Sequence, residues 1–88
     1  MNSFSALELQ AVQAAKNQDW PAAIQINQQI LDENESDVNA LMRQGVAYVQ
    51  VDEMTKAKAA FHQVLVLDKS NTLAKKHLER IKNHQGIS

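Results

Sequence analysis

Shifted by 34 residues, this 88-residue chain falls on itself: Ala6 lands on Ala40, Leu7 on Leu41, Gln10 on Gln44, Val12 on Val46, Ala23 on Ala57, Gln29 on Gln63, Leu31 on Leu65 and Ser36 on Ser70. Chance supplies about two or three such identities over this window, so one supersecondary unit is written twice. Character persists where identity does not, as Ala11 meets Gly45, Ile30 meets Val64 and Asp19 meets Glu53. The constraint is severe. A unit this short cannot bury its own apolar face, so the copies must stack and share a core.

Each copy divides into two helical stripes. Phe4, Leu7, Ala11, Ala14 and Ala15 recur at helical spacing, with Ser5 and Glu8 placed as a capping box, until "NQD" interrupts. Asp19 then caps a second helix that tolerates Pro21 in its first turn and carries Ala23, Ile24, Ile30 and Leu31 on one side. The second copy repeats the plan with Leu41, Gly45 and Tyr48, a "VDE" break, and Ala57, Phe61, Val64 and Leu65. Ser36 and Ser70 stand where the following helices need N-caps. A fifth helix begins as a third copy would, with Ala74 matching Ala40, and keeps an inner stripe of Ala74, His77, Leu78 and Ile81. Its other faces carry Lys75, Lys76, Glu79, Arg80 and Lys82, and Glu79 occupies the place of Ala11 and Gly45. A repeat array needs such a charged lid, because its last unit otherwise presents an apolar face to water.

Composition agrees with helices: 44% of residues are hydrophobic, with two Gly and one Pro. The absence of cysteine excludes disulfides and thiolate chemistry. No leader pattern and no apolar run near the roughly 20 residues of a membrane span occur. The expectation is a soluble, cytoplasmic protein, either as it stands or as one domain of a longer chain. Net charge is -1, yet residues 1–44 carry two basic and six acidic side chains while residues 45–88 carry seven basic and four acidic. That polarity suits head-to-tail association better than general phosphate-backbone binding.

A 34-residue helix–turn–helix unit with small residues at these places resembles the tetratricopeptide repeat family. The likeness is carried by Leu41, Gly45, Tyr48, Ala57 and Phe61 in the second copy and by Leu7, Ala11, Ala23 and Ile30 in the first, and it spans about residues 4–84. It implies an all-α, right-handed α-solenoid of five helices in a single domain, residues 1–88. Repeat one covers about 4–37, repeat two about 38–71, and the capping helix about 72–84. The small side chains at Ala11, Gly45, Ala23 and Ala57 suit close helix approach without any family name. Three departures carry expectations. Glu35 and Lys69 replace the family's closing proline, which predicts looser turns. Asn27 lies opposite Phe61 in the period, which predicts a polar group needing a buried partner or a shallower first core. Ala14 replaces Tyr48, which predicts a more weakly packed first repeat.

The family likeness implies a scaffold that holds peptides or proteins in the groove lined by the first helix of each pair. Counted from the core positions, Ser5, Glu8, Val12, Ala15 and Lys16 face that groove from the first helix. Asn39, Met42, Val46, Val49 and Gln50 face it from the third, and Lys76 with Arg80 from the cap. Val12 and Val46 recur at one place as either inter-helix packing or a partly exposed apolar floor. The family's carboxylate clamp for chaperone C-termini would fall on Glu8, Val12, Arg43, Leu73 and His77, where only Arg43 is suitable, so that ligand is disfavoured. No phosphate loop, zinc motif or paired nucleophile and base is present, so no enzyme, cofactor or metal is expected. His77 and His84 share a face, which is a weak metal signal, and we read them as ordinary cap residues. The basic run "AKKHLERIKNH" reads as a solvated face, and Trp20 and Tyr48 are too few and too separated to stack bases, so neither nucleic acid nor membrane is expected as a partner. Trp20 is expected to anchor its helix between the arms of the first pair. A protein or peptide partner remains as the expectation, with a homo-oligomer as the rival.

Overall fold

The computed structural model describes residues 5–86, with side chains through residue 83. Five helices follow one another: α1 (Ala6–Lys16), α2 (Trp20–Glu33), α3 (Val38–Gln50), α4 (Met54–Leu67) and α5 (Thr72–Gly86). No strand occurs among the described residues, so the chain is all-α. Phe4, expected on the first stripe, lies outside them. Each helix packs on its successor and α1 also touches α3. The molecule measures 47 × 28 × 18 Å, and its smallest extent leaves room for two layers of helices, each roughly 10 Å across.

The duplication reappears in the turns at atomic detail. After α1 the chain enters the left-handed region at Gln18 (φ 59°), and after α3 it does so at Asp52 (φ 64°), 34 residues later. Gln18 N–H donates to the Ala15 carbonyl and Asp19 N–H to that of Ala14, at 3.0 and 2.9 Å. Asp52 N–H donates to Val49 and Glu53 N–H to Tyr48, at 3.0 and 2.8 Å. This double closure satisfies the last helical carbonyls and offsets a backbone conformation that costs an L-residue roughly 1–2 kcal/mol. Asp19 and Glu53 end one helix and begin the next. The Asp19 carboxylate caps Ala22 N–H at 3.3 Å, whereas Glu53 makes no such bond.

The joints between copies differ from expectation in their N-caps. The N-caps are Asp37, which accepts from Ala40 N–H at 3.0 Å, and Asn71, which accepts from Ala74 N–H at 2.9 Å. Ser36 and Ser70, one residue earlier, belong to the turns themselves. Nor are those turns without support where the proline is missing. Asn34 Oδ1 accepts from Ser36 N–H at 3.1 Å, and the Asp68 carboxylate accepts from Ser70 Oγ and Asn71 Nδ2. A side chain two residues upstream thus restrains the turn, as proline would have restrained its dihedrals. At the N-terminus Ser5 accepts from Glu8 N–H at 3.1 Å, while the Glu8 carboxylate turns instead to Arg43, 3.9 Å from Nη1.

Burial follows the period. Ala11, Ile30, Leu31, Ala40, Leu41, Ala57, Phe61, Val64, Ala74 and Ile81 form the main core, and Ala14, Ala23 and Ala47 form a smaller one. Trp20, half-buried, packs on that alanine cluster, which joins α1, α2 and α3. Three alanines at one crossing allow those backbones to approach closely.

The large side chain that fills the second copy is Phe61, with no exposed surface. Its ring lies against Gly45, where a Cβ would stand 2.6 Å from Phe61 Cζ, and it stacks on His77 with centroids 4.7 Å apart and planes 6° from parallel. The corresponding slot 34 residues earlier is polar. Asn27, also fully buried, donates through Nδ2 to the Ala23 carbonyl at 2.8 Å and accepts from Arg43 Nε at 3.0 Å. Asn27 therefore has its buried partner, and Asn27 with Arg43 replaces Phe61 with His77 at the equivalent seam. Buried Gln44 is likewise satisfied by the Ile24 carbonyl and Gln28 Oε1.

Burial, with the neighbouring Arg80 charge adding to it, holds the His77 imidazole below its ordinary 6.5. Unfolded His77 therefore binds a proton before the folded one does. Its contribution to stability is complete above about pH 6.5 and is lost as pH falls toward the lowered folded value. His77→Phe keeps a ring on Phe61 and removes the proton. Urea midpoints measured from pH 7.5 to 5 are expected to fall more steeply for the wild type than for this variant, and parallel curves would show that His77 does not carry the dependence.

Candidate functional site

A helix that packs through one stripe leaves the opposite stripe to solvent, and the expected groove residues are divided between that stripe and its edge. Val12, Lys16, Asn39, Gln50, Lys76 and Arg80 are exposed, while Glu8, Ala15, Met42, Val46 and Val49 are half-buried. Ser5 is exposed and serves as the cap of α1.

Met42, Val46 and Val49 fall at i, i+4 and i+7 on α3, and all three pack partly on the main core. Both readings of the recurrent valine thus describe part of Val46, whereas Val12 stays 37% exposed. At its end this row opens into a depression of about 350 Å³ lined by Val49, Met54, Arg80 and Ile81. Two of the expected residues, Val49 and Arg80, meet there across α3 and α5. Met54 and Ile81 were not expected in that role. Met54 opens α4 beyond a turn whose path the residue pattern does not specify, and Ile81 belongs to the inner stripe of the lid.

At the α1 end the polar groups are occupied with one another. Arg43 gives Nε to Asn27 and faces Glu8 through Nη1, with side chains only 20% and 24% exposed. Arg43 Nη2 is buried without a hydrogen-bond partner among the described residues. An unmade bond at a buried polar group costs on the order of 1–3 kcal/mol, and more at a charged one, which opposes what the Asn27 bond contributes. The guanidinium is thus committed to the interior.

Two of the other depressions among the described residues are rimmed by charged side chains. One is polar and acidic, includes Asp32, Glu33 and Glu35, and sits beside the α2–α3 turn. The other, about 740 Å³, lies between α4 and α5 and is rimmed by lysines. Among the described residues no cluster of His, Asp and Glu is suited to a metal, and no helix is long and apolar enough to cross a membrane. His77 stacks inside the fold, and the side chain of His84 lies outside the described residues. No family model, curated protein or solved structure matches this chain.

Proposed function

We propose that this chain is a non-catalytic interaction module of the tetratricopeptide kind, a short solenoid that holds a peptide segment of another protein along the exposed side of α1, α3 and α5. The observation that carries the reading is the continuous row Met42, Val46 and Val49, which leads into the Val49–Met54–Arg80–Ile81 depression. The repeated turn geometry at Gln18 and Asp52 supports the family likeness, since it makes both hairpins one unit. A peptide with two or three aliphatic side chains gains roughly 1.5–3 kcal/mol for each one fully buried, and ordering the peptide opposes much of this. Micromolar affinity follows. The internal commitment of Arg43 argues against a carboxylate-clamp ligand.

Val46→Asp tests the proposal on peptides selected from a random library against the wild-type protein. Affinity is expected to fall at least tenfold while far-ultraviolet circular dichroism is unchanged. Equal affinity for wild type and variant rejects the reading.

The rival, self-association through unlike ends, is favoured by one observation. Asp32, Glu33 and Glu35 gather at one depression, and Lys58, Lys75 and Lys82 gather at another. Light scattering across salt concentrations decides it, because a protein that stays monomeric at high micromolar concentration and low salt has no such contact.

A further inference from the structure

We propose that the groove between α4 and α5 is a second docking site, separate from the α1–α3–α5 face, for an amphipathic helix of a partner protein that carries an aliphatic stripe flanked by acidic residues. The chain supplies the template for this occupant. Inside the array α4 packs along the α3 side of the surface made by α2 and α3, where its Phe61 and Val64 share the core with Leu31 and Leu41. The α4–α5 groove is that same surface displaced by 34 residues. Leu31 corresponds to Leu65 and Gln44 to Leu78, and these two leucines form the groove's half-buried apolar part. Leu41 corresponds to Lys75 and Tyr48 to Lys82, both exposed on its rim.

A face selected only for contact with water would shed its apolar floor. Here Leu65 is kept, and Leu78 is more apolar than its interior counterpart Gln44. The lysines on the rim outnumber its one carboxylate, that of Glu79, which sets the sign of the partner's flanks. Glu79 also stands where Gly45 admits the Phe61 ring, so the stripe must be aliphatic rather than aromatic. The register is fixed by two contacts of α4. Lys56 Nζ lies 5.8 Å from the Tyr48 ring centroid, and Gln63 borders Leu41 and Gln44. In the displaced frame those positions face Lys82 and Lys75, so acidic residues belong there, seven apart on one side of a helix.

The probe is a synthetic peptide with the α4 sequence, residues 54–67, carrying Phe61→Ala, Lys56→Glu and Gln63→Glu. Its control carries Phe61→Ala alone. Titrated into the isotope-labelled protein, the acidic peptide is expected to shift the amide signals of Leu65, Lys75, Leu78 and Lys82 and to bind at least tenfold more tightly than the control. Lys75→Glu with Lys82→Glu in the protein is expected to abolish that preference, and circular dichroism checks that the double variant still folds. Val46→Asp is expected to leave this binding unaltered, which separates the site from the proposed peptide groove. The proposal is overturned if no shift appears at millimolar peptide, if the shifts map to another face or spread over the whole fold, if both peptides bind alike, or if the groove signals respond to protein concentration alone, which would assign it to a second copy.

Discussion

Truncating Phe61 to alanine is expected to lower the unfolding free energy by about 3–5 kcal/mol, the usual cost of deleting a buried aromatic side chain. The ring is fully buried and is held on two sides, by Gly45 and by His77. It also joins the second hairpin to α5, so the void would open between elements that cannot collapse together without bending a helix. A domain of 88 residues has roughly 4–13 kcal/mol in total at typical values per residue. The variant should therefore be marginal at 25 °C, with a urea midpoint far below that of the wild type. A loss under about 1 kcal/mol would mean that the seam between α4 and α5 is not a principal source of stability.

Gly45→Val should come second, at about 3 kcal/mol. A Cβ at this site meets Phe61 Cζ at 2.6 Å and Cε1 at 2.7 Å, inside any real contact distance. The ring cannot rotate away without leaving His77. Overpacking of this kind usually costs 1–3 kcal/mol, and a second methyl branch places the substitution at the upper end. Helix propensity works slightly the other way, since valine is a better helix former than glycine. The decisive measurement is the double variant Gly45→Val with Phe61→Leu. A smaller partner should recover part of the loss, giving a coupling energy above roughly 0.5 kcal/mol, whereas strict additivity would show that the two residues do not compete for the same space.

The helix count and the core stripes were legible because both repeat at fixed spacing, and every expected inner residue of α5 through Ile81 is buried or half-buried. The N-caps of α3 and α5 were misplaced by one residue because "SD" and "SN" each offer two good capping side chains in succession. The tie-break lies in the local geometry of the turn. Asn34 draws Ser36 N–H into the turn, so Asp37 is left to open α3. The turns without proline illustrate the same limit, since the amide of Asn34 and the carboxylate of Asp68 act through directions that composition does not reveal. The exchange of Asn27 and Arg43 for Phe61 and His77 was half visible: the period marks Asn27 as anomalous, but a hydrogen bond across 16 residues needs the fold to bring α3 onto α2. Of the candidate face, the exposed stripe could be counted from helical geometry. That Val49 and Arg80 line one depression could not, because it depends on where α5 is placed relative to α3.

The two seams of this slab obey different laws. One adds to its apolar contacts a directional bond between an amide and a guanidinium. The other adds to its apolar contacts two stacked rings, one of which burial and Arg80 hold below its ordinary pKa, so that taking up a proton there is opposed. Mild acidification is therefore expected to weaken the α4–α5 seam before the α2–α3 one. Arg80, Lys75 and Lys82 all lie on α5, so both proposed surfaces depend on that one seam.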